Sequence, residues 1–349
     1  MENIYRCSDC DKVLMLQRKP KQEEFRKELY DITEHFYYCE TCKKEFEPDF
    51  LIDLNMNQIY NQYREKHNIL FSEQIRKIRE DYKLSPVKIS RILGFGDNVY
   101  RNYENGEVPS ISNARILKMA DDPFKFEEIV TECKETYENQ IIGKTEFDDL
   151  IKIIKNKKEE ALKEKSLEGF ILDKLSRETR FSGYKKFDVL KYFNMVNYFL
   201  EFYGDSYKTY INKFLFYSDF LNYRSTGYSI SGTQYIAIQK GPVPDWYDLF
   251  YDMMKHKDYI RIEEKEFISE SEEKIVEKFI PNKRFEKELF NEKELKSLKD
   301  SLTFFKKLIP LRKIVDLSHE EKAWKDNVAT KQKIDYQKYA FEINVDVGE

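Results

Sequence analysis

The chain has 349 residues, a formal net charge of −4, 41% hydrophobic and 36% charged residues, and 25 Tyr and 26 Phe. That supply of large rings argues against a disordered chain, and the small net charge excludes a global basic field, so any nucleic-acid face has to be local. No stretch approaches the roughly 20 apolar residues of a membrane span, and Met1-Glu2-Asn3-Ile4-Tyr5-Arg6 has no apolar signal core, which leads to an expected cytoplasmic address.

Four segments are predicted in chain order: 1–55, 56–137, a charge-rich helical connector at 138–185, and an aromatic-rich domain at 186–349. The first holds two C-x-x-C pairs, Cys7-Ser8-Asp9-Cys10 and Cys39-Glu40-Thr41-Cys42, with 28 residues between Cys10 and Cys39. Each pair can form a tight knuckle aiming two thiolates at one ion, and two knuckles complete a closed tetrahedral site. A structural zinc ion would then hold together a segment too small for its own core. A redox C-x-x-C sits at a helix start near a βαβ pattern, and neither pair does. Lys12, Lys43 and Lys44 follow the knuckles and can offset thiolate charge. His35 is the one substitute ligand nearby, and Cys133 reads as a small buried hydrophobe.

The second segment predicts short helices. Ile75, Ile78 and Tyr82 recur at helical spacing, and Ser85-Pro86 fits an N-cap with Pro in the first turn. Val87, Ile89, Ile92 and Leu93 give the next helix its inner face before the turn Gly94-Phe95-Gly96. Asp97 or Asn98 can cap a further helix, which Asn105-Gly106 ends. A short helix, a Gly turn and a polar helix make a helix-turn-helix. Asn98 and Arg101 suit base edges, whereas Tyr100 and Lys88 suit phosphates. Between Ser72 and Arg115 there are eight Lys/Arg and six Asp/Glu, a weak footprint that predicts a homodimer on paired half-sites. The same pattern is also compatible with a helical hairpin that packs on a partner.

In the last segment, Phe214, Phe216, Tyr217 and Phe220 are spaced for a buried helix, with Asp219 in need of a partner such as Lys213 or Arg224. Ser229 to Ile238 alternates as a short strand pair. Gly241-Pro242-Val243-Pro244 forces a rigid, extended exit, and Asp245 would cap a helix near Trp246. Ser318-His319-Glu320 reads as an N-cap with a capping-box Glu321 rather than a triad, because consecutive helical residues point apart. No phosphate loop or activated nucleophile is present, so an enzyme is not expected.

The order of cysteine module then Leu84-Ser85-Pro86, Ile92-Leu93-Gly94-Phe95-Gly96, Tyr100 and Tyr103-Glu104-Asn105-Gly106 resembles the MqsA-type antitoxins over residues 1 to about 120. That resemblance implies structural zinc, Cys7, Cys10, Cys39 and Cys42 as its ligands, and operator DNA as a partner, with Asn98 and Arg101 at the base-reading positions. The stretches Lys213–Phe220, Thr226–Tyr235 with Gly241-Pro242-Val243-Pro244, and Leu317–Trp324 resemble the SocA-like Panacea domain across about 186–330. Lys240 stands where that family usually has Tyr. The resemblance implies a domain that neutralises a protein toxin.

The expected fold is therefore mainly α with small β elements: a four-cysteine zinc module, a helix-turn-helix domain, and a helical Panacea domain with a short β-hairpin. The expected function is that of an antitoxin in a type II toxin–antitoxin system that also represses its own operon. A proteolytic adaptor and a transcription regulator without a toxin are the alternatives. Tyr223, Tyr228, Tyr235 and Trp246 are the expected toxin contacts, since Tyr and Trp dominate binding hot spots.

Overall fold

The computed structural model describes residues 5–137, 141–162, 169, 172, 175, 177–204, 206–268, 273–308 and 312–345. The fold is mainly α with small sheets, and the chain divides into two compact units, Met1–Ile59 with Ile171–Glu349, and Tyr60–Phe170.

The first unit opens with a long hairpin, β1 (Met15–Phe25) against β2 (Glu28–Cys39), and β3 (Lys44–Phe46) pairs with the end of β2. Arg26 and Lys27 connect the long strands with φ of 51° and 68°. Two successive positive φ values give the turn a twist that matches paired strands. β1 has no buried residue, whereas β2 buries Tyr30, Ile32 and Phe36. α1 (Asp49–His67) completes the layer through side-chain amides. Gln58 exchanges two hydrogen bonds with the Thr33 backbone (2.9 and 2.8 Å), and Asn55 does the same at His35 (2.9 and 3.0 Å). Spaced three apart on one helix face, these amides stand in for a third strand along that edge of β2.

The rest of this unit is built around α9 (Lys208–Thr226), buried continuously from Ile211 to Arg224. α8 (Val189–Phe202) and α11 (Glu292–Lys306) pack on it, for example through Phe199, Phe214 and Phe305 with ring centroids 4.9 and 5.0 Å apart. A small sheet of β4 (Ser206–Tyr207), β8 (Glu273–Pro281) and β7 (Ile260–Ile268) lies beside α10 (Tyr247–His256). α12 (Arg312–Glu320), α13 (Lys322–Lys325) and α14 (Tyr336–Tyr339) follow. The hairpin layer is continuous with this core: His35 packs on Phe341 at 5.0 Å, and Gln337 donates to Gln58 at 3.0 Å.

The expected strand pair falls later than the alternation suggested. β5 (Tyr235–Ile238) pairs with β6 (Gly241–Pro244), so Gly-Pro-Val-Pro is itself the second strand rather than an exit from it. Proline is tolerated there because only alternate N–H groups of a two-stranded ribbon are needed. Trp246, not Asp245, is the N-cap of α10. The capping box at Ser318 is also corrected. Ser318 lies inside α12 and donates to the Val315 carbonyl, while Glu321 is buried and accepts from Tyr217 and Asn344.

The second unit is helical: α2 (Ser72–Asp81), α3 (Pro86–Ile92), α4 (Val99–Glu104), α5 (Ile111–Asp121), α6 (Pro123–Tyr137) and α7 (Lys144–Leu162). Its core collects Ile75, Ile78, Ile89, Ile92, Leu117 and Val130. Burying each such side chain contributes roughly 1.5–3 kcal/mol. Ser85 caps α3 as expected, accepting from Lys88 N, with Pro86 in the first turn. The anticipated connector is not solvated on every side. Leu150 and Ile154 of α7 are buried in this same core, and Cys133 with them. Connector residues 138–140, 163–168, 170–171, 173–174 and 176 lie outside the described residues.

Candidate functional site

The two knuckles are built alike. Asp11 N donates to Cys7 O at 2.9 Å and Lys43 N to Cys39 O at 2.8 Å, and both residues have left-handed φ, 56° and 55°. Each turn folds its pair of thiols to one side, and the β1–β2 register, with Met15 opposite Tyr38, brings the pairs together. The four sulfurs lie within 4.8 Å of one another, with Cys7–Cys42 at 3.8 Å and Cys10–Cys39 at 3.5 Å. These spacings are far longer than a disulfide, and they approximate the roughly 3.8 Å edge of a tetrahedron with metal–sulfur bonds of about 2.3 Å.

Electrostatics favours an ion there. The Cys42 N–H donates to Cys39 Sγ at 3.4 Å and holds that thiol below its usual pKa. The adjacent sulfurs, led by Cys10, push Cys42 upward. Four thiolates this close need a cation between them to be ionised together. Lys44 pairs with Asp9 and so ties one knuckle to the other. His35 is not part of the cluster: it is buried with Nδ1 against the Thr33 carbonyl at 2.7 Å. Cys7, Cys10, Cys39 and Cys42 therefore form a cluster able to hold a metal ion.

The four residues expected at a DNA surface separate into two kinds. Asn98, at the N-cap of α4, and Arg101, on its first turn, are exposed, and neither side chain has a partner among the described residues. Tyr100 is fully buried, and its hydroxyl donates to the Ile75 carbonyl at 2.6 Å, so it is a core residue and not a phosphate contact. Lys88 is likewise committed within its own unit, donating to Ile141 O at 2.8 Å and Glu146 at 3.0 Å. Sequence spacing misassigned Tyr100 because tyrosine suits either an interface or a core whose carbonyls need a donor.

The aromatic residues expected at a partner surface divide in the same way. Tyr223 and Tyr235 are fully buried, donating to Gln337 and Asp219 at 2.7 Å each, and cannot meet a partner without unfolding. Tyr228 is half-buried, and Trp246 is 49% exposed. Trp246 also has φ of 63°, a costly conformation for a bulky residue that presents the indole outward.

Asp219 finds neither of its expected cationic partners. Its carboxylate accepts from Ile230 N (2.7 Å), Ser231 N (3.0 Å), Ser231 Oγ (2.9 Å) and Tyr235 Oη (2.7 Å). Burial nevertheless pushes it up to about 6. Lys213 instead donates to Pro242 O at 2.9 Å, and Arg224 to Val345 O at 3.1 Å. The Ser318 hydroxyl is wholly buried, and His319 stacks on Trp324 at 4.3 Å.

The architecture is thus a mainly α protein with a metal-competent cysteine hairpin and an aromatic core around α9. Within that core, residues 211–325 match the family described as antitoxin SocA-like, Panacea domain. The chain accordingly carries a SocA-like antitoxin domain at 211–325 beside a four-cysteine cluster near its N-terminus. No curated protein and no solved structure matches the chain. Among the described residues, no helix is long and apolar enough to cross a membrane.

Proposed function

We propose that the protein is the antitoxin of a type II toxin–antitoxin system. The domain at 211–325 binds and blocks a cognate protein toxin, and its match to an antitoxin family is the observation that carries this reading. The short helix α3, the turn at Gly94–Gly96 and the polar helix α4 act as a helix-turn-helix on operator DNA, with Asn98 and Arg101 at base edges. Their exposure and lack of internal partners support that assignment. Repression of the operon follows from a homodimer on paired half-sites.

The ion held by the four cysteines is structural zinc, a role supported by an all-thiolate set, which fills every position of a tetrahedral site. The protein works in the cytoplasm and carries out no catalytic step.

Co-expression with the product of the neighbouring reading frame tests the proposal. That product should arrest growth alone and be harmless beside this protein. A neighbour that is harmless alone, or toxic in both cases, overturns the antitoxin reading. Rescue that depends on a protease would replace simple blocking by adaptor-mediated degradation.

A further inference from the structure

A cleft of about 360 Å³ lies between the start of α9, the β5–β6 ribbon and the β7–β8 pair. Its wall includes Lys208, Asn212, Lys213, Lys240, Glu264 and Glu277. The three lysines are not equivalent. Lys208 is bound by Asp248 at 2.6 Å and Glu277 at 2.7 Å. Lys240, in the two-residue turn between β5 and β6, is exposed and has no ion-pair partner among the described residues.

Lys213 is the anomaly. It is fully buried, yet its one partner among the described residues is the neutral Pro242 carbonyl. An ammonium can donate three hydrogen bonds, and a buried one without a counter-charge is costly. The fold holds it there regardless. Gly241 has φ of 100°, and a Cβ at that position would lie 2.6 Å from Lys213 Nζ, so the backbone of β6 closes directly onto the ammonium. Beside it, Asn212 Oδ1 accepts from Tyr251 at 2.5 Å, and its Nδ2 has no partner among the described residues.

We propose that this cleft receives a single carboxylate presented by a polypeptide partner, with Lys213 as counter-charge and Asn212 as a second donor. The proposal rests on the toxin-binding reading of the 211–325 domain. Unmet donors carry it: Lys213 has one neutral acceptor for its three N–H groups and Asn212 Nδ2 has none among the described residues, while Lys208 is already offset by Asp248 and Glu277. One carboxylate can accept from both of these donors, whereas Glu264 and Glu277 on the wall would repel a dianion. Burial alone holds Lys213 down at about 7, and a docked carboxylate restores its ionised form.

The probe is a displayed library of short random peptides selected on the full chain, one arm with free C-termini and one with peptides held internally. Selection should enrich Asp or Glu in the internal arm, or a bare terminal carboxylate in the other. Lys213→Met removes the buried charge at similar volume, and Lys240→Glu reverses the charge at the mouth. Each should weaken the selected peptides at least about tenfold, while Lys299→Glu at an exposed position of α11 leaves them unchanged. Lys240→Glu alters an exposed turn and carries the test alone if Lys213→Met does not fold.

No binders, binders without an acidic group, or equal binding to wild type and both variants each overturn the proposal. If wild type and variants neutralise the toxin equally, the cleft assignment falls and the antitoxin reading stands. If the neighbouring product is not a toxin, the antitoxin reading falls while the peptide selection still decides the cleft.

Discussion

The cysteine hairpin and the core around α9 solve opposite problems. Around the knuckles, a strand with no buried residue and a short ribbon converge on one cluster of four cysteines. Around α9, buried carboxylates are each satisfied by several neutral donors. Asp219 depends on residues 230, 231 and 235, and Glu321 depends on Tyr217 and Asn344. The hairpin should therefore fail through loss of one ion, and the core through loss of one network.

The largest effect should come from the hairpin. On the zinc reading, Cys39→Ser leaves three thiolates and removes most bound metal, and the knuckles lose their organisation. Binding of structural zinc in small peptides is worth on the order of 10 kcal/mol, so little of the hairpin end should stay ordered. Metal analysis together with hydrogen exchange over residues 5–46 reads this out. A purified wild type with no bound metal breaks the reading. The α9 core should remain protected in the same experiment, and its collapse would show that the two regions are one cooperative unit.

Asp219 sharpens the other side. Asp219→Leu strands two backbone N–H groups and two hydroxyls, and should cost about 3–5 kcal/mol in chemical denaturation. Asp219→Asn keeps an acceptor for the N–H groups and should cost far less. The wild type carries a pH signature that the Asn variant lacks. Its folded carboxyl titrates near 6 against an ordinary value of 3.8, so the folded state holds the extra proton between the two. Stability from this group is present at about pH 4 and is lost as pH rises through 6, by on the order of 3 kcal/mol. A salt-bridged carboxylate would show the reverse slope, so the sign alone decides whether burial governs this site.

The helices α2–α4 lie between these extremes and show what sequence can deliver. Their apolar spacing, the Ser85-Pro86 start and the Asn105-Gly106 stop were legible because each helix buries one face and reports it every three or four residues. α9 was recognisable as buried, but with all faces covered it has no polar side from which to infer neighbours. The cysteine pairs were legible because both ligands of a knuckle are local. The long hairpin was not, since β1 reads Met-Leu-Gln-Arg-Lys-Pro-Lys-Gln-Glu-Glu-Phe, and its turn uses Arg26-Lys27 instead of the usual Asn or Gly. Side-chain partners across long separations, such as Gln58 with Thr33 or Lys213 with Pro242, leave no local trace.

Two neighbouring residues test that middle case. Tyr100→Phe deletes one buried hydrogen bond and should cost about 1 kcal/mol of stability with no change in operator affinity. Arg101→Ala should leave stability within about 0.5 kcal/mol and weaken operator binding by about 1–3 kcal/mol. Denaturation and operator titration on both variants give a crossed pattern. A Tyr100→Phe protein that loses DNA, or an Arg101→Ala protein that keeps it, would reverse the surface and core assignments.

The smallest effect returns to the knuckles, where local geometry alone is at stake. Lys43 and Asp11 occupy equivalent positions at nearly the same left-handed φ. A left-handed backbone costs an ordinary L-residue about 1–2 kcal/mol, whereas Asp tolerates it better because its short side chain bonds locally. Glycine removes that cost but gives back about 0.5–1 kcal/mol through its flexible unfolded chain. Lys43→Gly should therefore stabilise the metal-bound protein by about 0.5 kcal/mol, and Asp11→Gly by less, because it also forfeits the Arg6 ion pair at 3.6 Å. A larger gain from Asp11→Gly would mean that the knuckles, alike in backbone, differ in how strongly the ion holds them.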